Sequence, residues 1–448
     1  MHATVEFTRD VRRFGAKGDG VTIDTAAIQG AIDACDDHGG GTVVVPPGRY
    51  ACGTIHLHDN LELQITTGAT LVASKDDELF DPPERVKYLD AQGGESAFFH
   101  HALLAGDDIE NVRITGGGCL DDERLRRHGP KPIGLKGCNR VTIRDVTSFN
   151  SPNYAVSLGN CEGIDIENVR VFTSNADGID LESCRNARVH GCHVESRDDA
   201  MVLKGSLAHG KPIQSSNIVI SNCDLSTSCV GFKIGSETNG DFKNIVLANS
   251  VIHPLGIARP PLAGIAIESV DGGTIKGLAI SNIAMDGMKS PLFIRLGKRL
   301  RGNIPDKPGG IADVLISNIT ATNSHFPVVI AGLPDKAVER VTLTNVHFEF
   351  DYSGVQKIPN EQNPSDADLD ASRPPGTTNI ARIPENEARY PDIRMFGDPL
   401  PTWGIFARHA SGIRFSGVEC YLHGADPRPS SLFIDVARAD LDGLHFSS

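Results

Sequence analysis

Residues 174–205 read SNADGIDLESCRNARVHGCHVESRDDAMVLKG and carry Asp177, Asp180, Asp198 and Asp199 in two clusters 21 to 22 residues apart. Carboxylates gathered by a fold can do two sorts of chemistry. One can give a proton while another takes one from water, or together they can hold a divalent cation. Four ionised carboxylates in one place repel, so at least one should hold its proton more tightly than usual or bind a cation. The bland reading of an acidic patch is a solvated surface. The interval argues against it, because it is too long for a helix turn and it recurs along the chain.

Short runs of alternating apolar residues ending in a polar turn begin at Val141 (VTIRDV), Ile164 (IDIENV), Ala187 (ARVHGC), Ile218, Ile245, Leu278, Val314 and Val341. The first two steps are 23 residues and the later ones run from 27 to 36. A period in the low twenties, lengthened by variable loops, marks a solenoid. The alternation marks strands with one buried face. Three short strands and their turns fill such a coil, so the expectation is an all-β fold, a parallel β-helix. A leucine-rich repeat is the rival, but its Leu-x-x-Leu-x-Leu spacing is absent. An asparagine recurs after the strand (Asn168, Asn222, Asn249, Asn282, Asn318, Asn345) and reads as an internal amide stack at one corner.

The whole chain, 1–448, reads as one β-helix domain. Residues of about 8–50 form an N-terminal cap, in which DTAAIQGAIDAC is a short helix with Ile28, Ile32 and Cys35 on one face and Asp24 as N-cap. A solenoid end needs such a cover over its terminal coil. Coils fill about 51–350, a polar, Pro-rich excursion about 351–395, and C-terminal coils 396–448.

The formal charge is −14, from 43 basic and 57 acidic residues, which argues against a nucleic-acid partner. No run of 18 apolar residues occurs, so no membrane partner is expected either. The opening MHATVEFTRDVRRFG lacks the apolar core of a signal peptide. That points to a cytoplasmic protein or a trimmed start. Ten cysteines show no zinc-finger spacing and read mostly as small buried residues. Nothing in the sequence calls for a metal or other cofactor.

Stacked coils make residues one period apart neighbours at about 4.8 Å. Aligning Leu181 with Leu203 puts Asp177 beside Asp199, Asp180 beside Val202 and Glu182 beside Lys204. Extending the register through VGFKIGSE, AGIAIES and FIRLG gathers Asp177, Asp180, Asp198, Asp199, Lys233, Glu268 and Arg295 on one outward face. Charged groups along the groove of an elongated solenoid suggest a chain-like ligand, most naturally a polysaccharide. Paired carboxylates there could hydrolyse a glycosidic bond. Alternatively they could hold Ca²⁺ against a uronate for β-elimination. A glycosidase for neutral sugars and a non-catalytic carbohydrate-binding β-helix are further alternatives, and the spacing alone does not separate them.

The motifs SNADGID and SRDDA, at this interval, resemble the Asn-Thr-Asp and Asp-Asp motifs of glycoside hydrolase family 28, the polygalacturonases and rhamnogalacturonases. VRRFGAKGDGVTIDTAAIQGAIDAC, GGGTVVVPPGRY, GATLVAS and SPNYAVSLGNC are similar to its cap and early coils, so the resemblance spans roughly residues 8–350. It implies a right-handed parallel β-helix and an inverting hydrolase, with Asp198 as general acid and Asp177 and Asp199 holding and deprotonating the attacking water. It implies a secreted or periplasmic location from the substrate class. The departures are local. Val230 stands at the position of the family histidine in VGFKIG, and Ala266 and Glu268 in AIE replace the two cations of Arg-Ile-Lys that bind a galacturonate carboxylate. These exchanges predict poor action on unmodified polygalacturonate. Asp180, Lys233, Glu268 and Arg295 are then the substrate-binding candidates. Lys233 and Arg295 either supply a displaced cationic subsite or neutralise nearby acids. Arg382, Arg389, Arg394 and Arg408 are in reach of the cleft if the late excursion folds back over it.

Overall fold

The computed structural model describes residues 7–84, 88, 98–124, 126–256, 260–353, 383–397 and 399–448. Its strands pair in parallel, each with the strand one coil before and one coil after, as a parallel β-helix requires. Connections between parallel strands take the right hand. The register follows the repeat. Val141, Ile164, Ala187, Ile218, Ile245, Leu278, Val314 and Val341 stand directly over one another, all buried, in one continuous column. Branched aliphatic side chains suit this position because they pack well on a pleated, half-buried surface.

A second face carries the chemistry. Its strands run through Val156–Gly159, Ile179–Glu182, Met201–Gly205, Val230–Thr238, Ala263–Ser269 and Ser290–Leu296. Leu158, Leu181, Leu203, Ile234, Ile267 and Ile294 form its inward column. Pinning those residues in the core forces their neighbours outward. A one-residue slip would turn the acids into the core, so the apolar column fixes the register of the site.

The cap helix covers Thr25–Asp36 and buries Ile28, Ala31, Ile32 and Cys35. Asp24 stands at its N-cap but does not cap it. Its carboxylate instead accepts from the Lys17 and Gly18 backbone N–H groups at 2.7 and 2.9 Å, tying the preceding loop to the helix. The recurring asparagines differ from expectation too. They are exposed, not internal, and Asn345, Asn318, Asn282 and Asn249 donate one to the next at 2.7, 2.9 and 2.8 Å. Each adopts positive φ, a conformation asparagine tolerates better than most residues, and the outward turn it makes places the amide in solvent. A second ladder, Asn244 to Asn217 to Asn186, lies at another corner. Eight of the ten cysteines are buried and all are free.

Much of the expected excursion, residues 354–382, lies outside the described residues, and Arg382 with it. From Ile383 to Phe396 the chain packs onto the solenoid through Ile383, Ile393, Met395 and Phe396. C-terminal strands follow at Ile405–Ser411, Arg414–His423, Ser431–Ala437 and Leu444–Ser447.

Candidate active site

The two aspartate clusters occupy corresponding turns of consecutive coils. Hydroxyl groups hold those turns. Ser196 Oγ donates to the Ala176 carbonyl and accepts from the Asp198 N–H, at 2.6 and 3.1 Å, and Thr227 Oγ1 donates to the Asp198 carbonyl at 2.6 Å. The Asp199 N–H lies 3.3 Å from Asp177 Oδ1 and 3.1 Å from Asp198 Oδ1, so two of the carboxylates meet at the backbone amide of the residue that carries the third. They line a cleft of about 540 Å³ together with Arg127, Tyr154, Lys204, Lys233, Glu237, Arg301 and Tyr390.

Each acid has a cation, and each cation comes from a different coil or loop. Lys204 Nζ sits 2.6 Å from Asp177 Oδ2, 2.7 Å from Asp180 Oδ2 and 2.9 Å from the Tyr154 hydroxyl. Lys233 Nζ sits 3.1 Å from Asp199 Oδ2 and 3.9 Å from Glu268 Oε2. Arg127 Nη2, on a surface loop, sits 2.9 Å from Asp198 Oδ2. Asp177 and Asp199 are only 4% exposed, whereas the side chain of Asp198 is 27% exposed.

Burial and these partners push the three acids in different directions. Burial raises Asp177 well above the ordinary carboxylate range, outweighing Lys204, with Asp198 and Asp199 adding to the rise. Burial also raises Asp199 against the pull of Lys233. Burial works the same way on Asp198, but Arg127 and Lys233 outweigh it and hold this acid low. Lys204 and Lys233 are both raised, since their carboxylate partners outweigh the burial that disfavours an ammonium. On the far wall, burial is overcome at Glu237 by Lys204, Arg299 and Arg301, bringing it to about 2.

The residues read from the sequence as binding groups divide. Lys233 lines the cleft, but its ammonium is already committed to Asp199. Asp180, Glu268 and Arg295, by contrast, do not line it. Asp180 is 1% exposed because Lys204 from the next coil lies across it. Glu268 is 2% exposed behind Lys233, and burial lifts its carboxyl to about 8. Arg295 points away from the cleft, donating to the Gly332, Glu385 and Asn386 carbonyls and lying 5.0 Å from the Phe396 ring centre. Arg408 does the same at the Ile383 and Pro384 carbonyls, and Arg394 pairs with Asp392. Arg295 and Arg408 dock the segment of residues 383–397, Arg394 braces it from within, and none of the three lines the cleft.

Val230 stands opposite Asp199 in register, since its carbonyl accepts from the Ala200 N–H. Its side chain, however, joins an apolar cluster with Ala263, Ala266 and Phe293. The neighbouring Cys229 faces the acids, its thiol grouping with Asp198 and Asp199 within 4.8 Å. A strand places alternate side chains on opposite sides, so a shift of one position separates the two. Sequence reasoning also missed Arg127, Arg301 and Tyr390, which arrive from loops with no fixed place in the repeat. Lys204 was legible as the partner of Glu182 in the next coil, but not its reach to Asp177.

The family model described as glycosyl hydrolases family 28 matches residues 35–365. A probable polygalacturonase of Vitis vinifera is 26% identical over 306 residues, covering 62% of this chain and 60% of that protein. The chain therefore spans less than two thirds of that relative's length. A hyperthermoactive exopolygalacturonase from Thermotoga maritima superposes with a TM-score of 0.65 at 22% identity, over 77% of this chain and 87% of that one. A family 28 exopolygalacturonase from Yersinia enterocolitica gives 0.72 at 17% identity, over 98% and 79%. At these identities the structural likeness speaks to the fold alone.

Proposed function

Since the chain belongs to family 28 of the glycosyl hydrolases, we propose that it hydrolyses a glycosidic bond in a pectin-type or other acidic polysaccharide or oligosaccharide, with inversion at the anomeric carbon. The observation that carries this reading is that Asp177, Asp198 and Asp199 line one cleft, the carboxylates of the first two meeting at the backbone N–H of the third. Asp198, the most accessible of the three, donates its proton to the leaving glycosidic oxygen. Asp177 and Asp199 hold a water on the opposite side of the sugar and accept its proton as it attacks. The cations already paired with these acids favour hydrolysis over Ca²⁺-dependent elimination, because a divalent ion among them would sit beside Lys233 and Arg127.

The resting charges do not yet match these roles. Three carboxylates this close do not all ionise, and the resident proton favours the more deeply buried Asp177 and Asp199 while Arg127 keeps Asp198 ionised. Catalysis needs that proton on Asp198 and the other two acids free.

Specificity should depart from that of a standard polygalacturonase. Ala266 sits in an apolar cluster and Glu268 is buried, so neither column position offers a cation to a galacturonate carboxylate. An acid desolvated without a partner costs several kcal/mol, about 3–5 for a broken buried pair. Unmodified polygalacturonate is therefore expected to be a poor substrate beside rhamnogalacturonan and other pectic oligosaccharides. Asp198→Asn should cut turnover of the best of these by about 10²–10⁴-fold, as loss of a general acid does. Proton NMR of the first product should show the inverted anomer. A loss under about tenfold, or a retained anomer, would overturn this mechanism.

A further inference from the structure

Arg127 holds the most accessible of the three acids, yet it comes from a loop and its side chain is 42% exposed. Lys204 and Lys233, which hold the other two, are 5% and 6% exposed and locked into the sheet. Of the three ion pairs, only the one on Asp198 can therefore be opened by a ligand entering the cleft. Resting on the reading of the protein as a hydrolase of acidic glycans, we propose that Arg127 is a substrate-operated gate on the catalytic acid. A carboxylate of the bound sugar takes over the Arg127 guanidinium, and the proton resident among Asp177 and Asp199 passes to Asp198.

The groups facing Asp198 allow this exchange. They are Arg127 from the loop, Lys233 and Lys204 from the following strands, Asp177 and Asp199 beside it, and the Cys229 thiol. With Arg127 withdrawn, the remaining cations are each bonded to another carboxylate, so Asp198 becomes the least compensated acid of the trio. The exchange is balanced. One proton moves from the Asp177–Asp199 pair to Asp198, which frees a carboxylate to accept a proton from water. Asp198 then protonates the glycosidic oxygen as the C–O bond breaks with its electrons on that oxygen, and the attacking water returns one proton to the pair. Arg127 binds the sugar carboxylate in this scheme and acts on the chemistry through Asp198, apart from the column position that Ala266 and Glu268 leave without a cation.

The test compares wild type, Arg127→Met and Arg127→Lys on a rhamnogalacturonan oligosaccharide and on its methyl-esterified form. In wild type the basic limb of kcat should lie at least about one pH unit above that of kcat/KM, because substrate binding removes a cation from Asp198. Esterification should lower wild-type kcat/KM by roughly tenfold or more, the size of a lost charge-assisted hydrogen bond. In Arg127→Met the two limbs should coincide and the preference for the free acid should shrink to within about threefold, while Arg127→Lys keeps part of both. A limb separation and acid preference unchanged in Arg127→Met would overturn the gate and leave the hydrolase reading standing. Failure of wild type to cleave either form, or any of the other acidic polysaccharides and oligosaccharides assayed beside them, would overturn that reading and the gate with it.

Discussion

Lys204→Met removes the ammonium that two buried carboxylates share. Asp177 and Asp180 are 4% and 1% exposed, and both lie within 2.7 Å of Lys204 Nζ. Methionine fills most of the volume, so the change is electrostatic before it is steric. Breaking a buried pair by removing one partner costs about 3–5 kcal/mol when the other stays charged. At about 2.1 cal/mol/K per residue, unfolding of 448 residues carries an entropy near 0.9 kcal/mol/K, so Tm at neutral pH should fall by roughly 3–5 °C. The sign of the pH dependence follows from the direction of the shifts. Both acids are already raised in the native state, and losing Lys204 raises them further. A raised carboxyl gives stability that is present below its unfolded value and lost as pH climbs through its folded value. The deficit should therefore be small near pH 4 and widen toward pH 8. Scanning calorimetry of both proteins across that range makes the comparison. A deficit that is absent, or constant with pH, would refute the view that Lys204 compensates buried charge.

Two further outcomes concern a ring on the wall of the cleft and a carboxyl buried behind it. Tyr390 lines the cleft with 49% of its surface exposed and Lys233 Nζ 5.8 Å from its ring centre, a placement suited to stacking on a sugar. Tyr390→Ala should raise KM by about 3- to 10-fold with a smaller change in kcat, and unchanged KM in initial-rate assays would remove the ring from the binding surface. Glu268 is raised to about 8 by burial, so wild type should lose stability as pH rises from about 4.5 to 8, by up to about 1.4 kcal/mol per pH unit. Glu268→Gln should flatten that slope in urea unfolding, and parallel slopes would show that Glu268 does not stay protonated in the fold.

The fold was legible because a β-helix repeats one physical requirement. Val141, Ile164 and Ala187 must each fill the same core position, and their spacing exposed the register that the strands adopt. The gathering of the three aspartates in one cleft was legible for the same reason, since Asp177 and Asp199 are one coil apart. What escaped was the direction of long side chains and the reach of loops. Arg295 was placed on the correct strand, but its guanidinium satisfies the Glu385 and Asn386 carbonyls on the far side. Those partners lie some 90 residues away, where no periodicity links them. Arg127 and Tyr390 come from segments outside the repeat, and a repeat says nothing about them. Cys229 differs again, because the strand edge beside Asp199 admits either it or Val230, and only the packing of Val230 against Ala263 and Phe293 decides.

The exposed asparagine ladder has a bearing on how such a protein can change. The hydrogen bonds from Asn345 to Asn318, Asn282 and Asn249 stay between 2.7 and 2.9 Å while the intervening chain takes 27, 36 and 33 residues. The corner therefore acts as an index for each rung, independent of how much chain is looped out elsewhere in the turn. Insertions and deletions in the loops can be absorbed without displacing the strand that follows. The cleft rim can thus be rewritten, by mutation or by grafting loops between relatives, while the acids on its floor keep their relative positions.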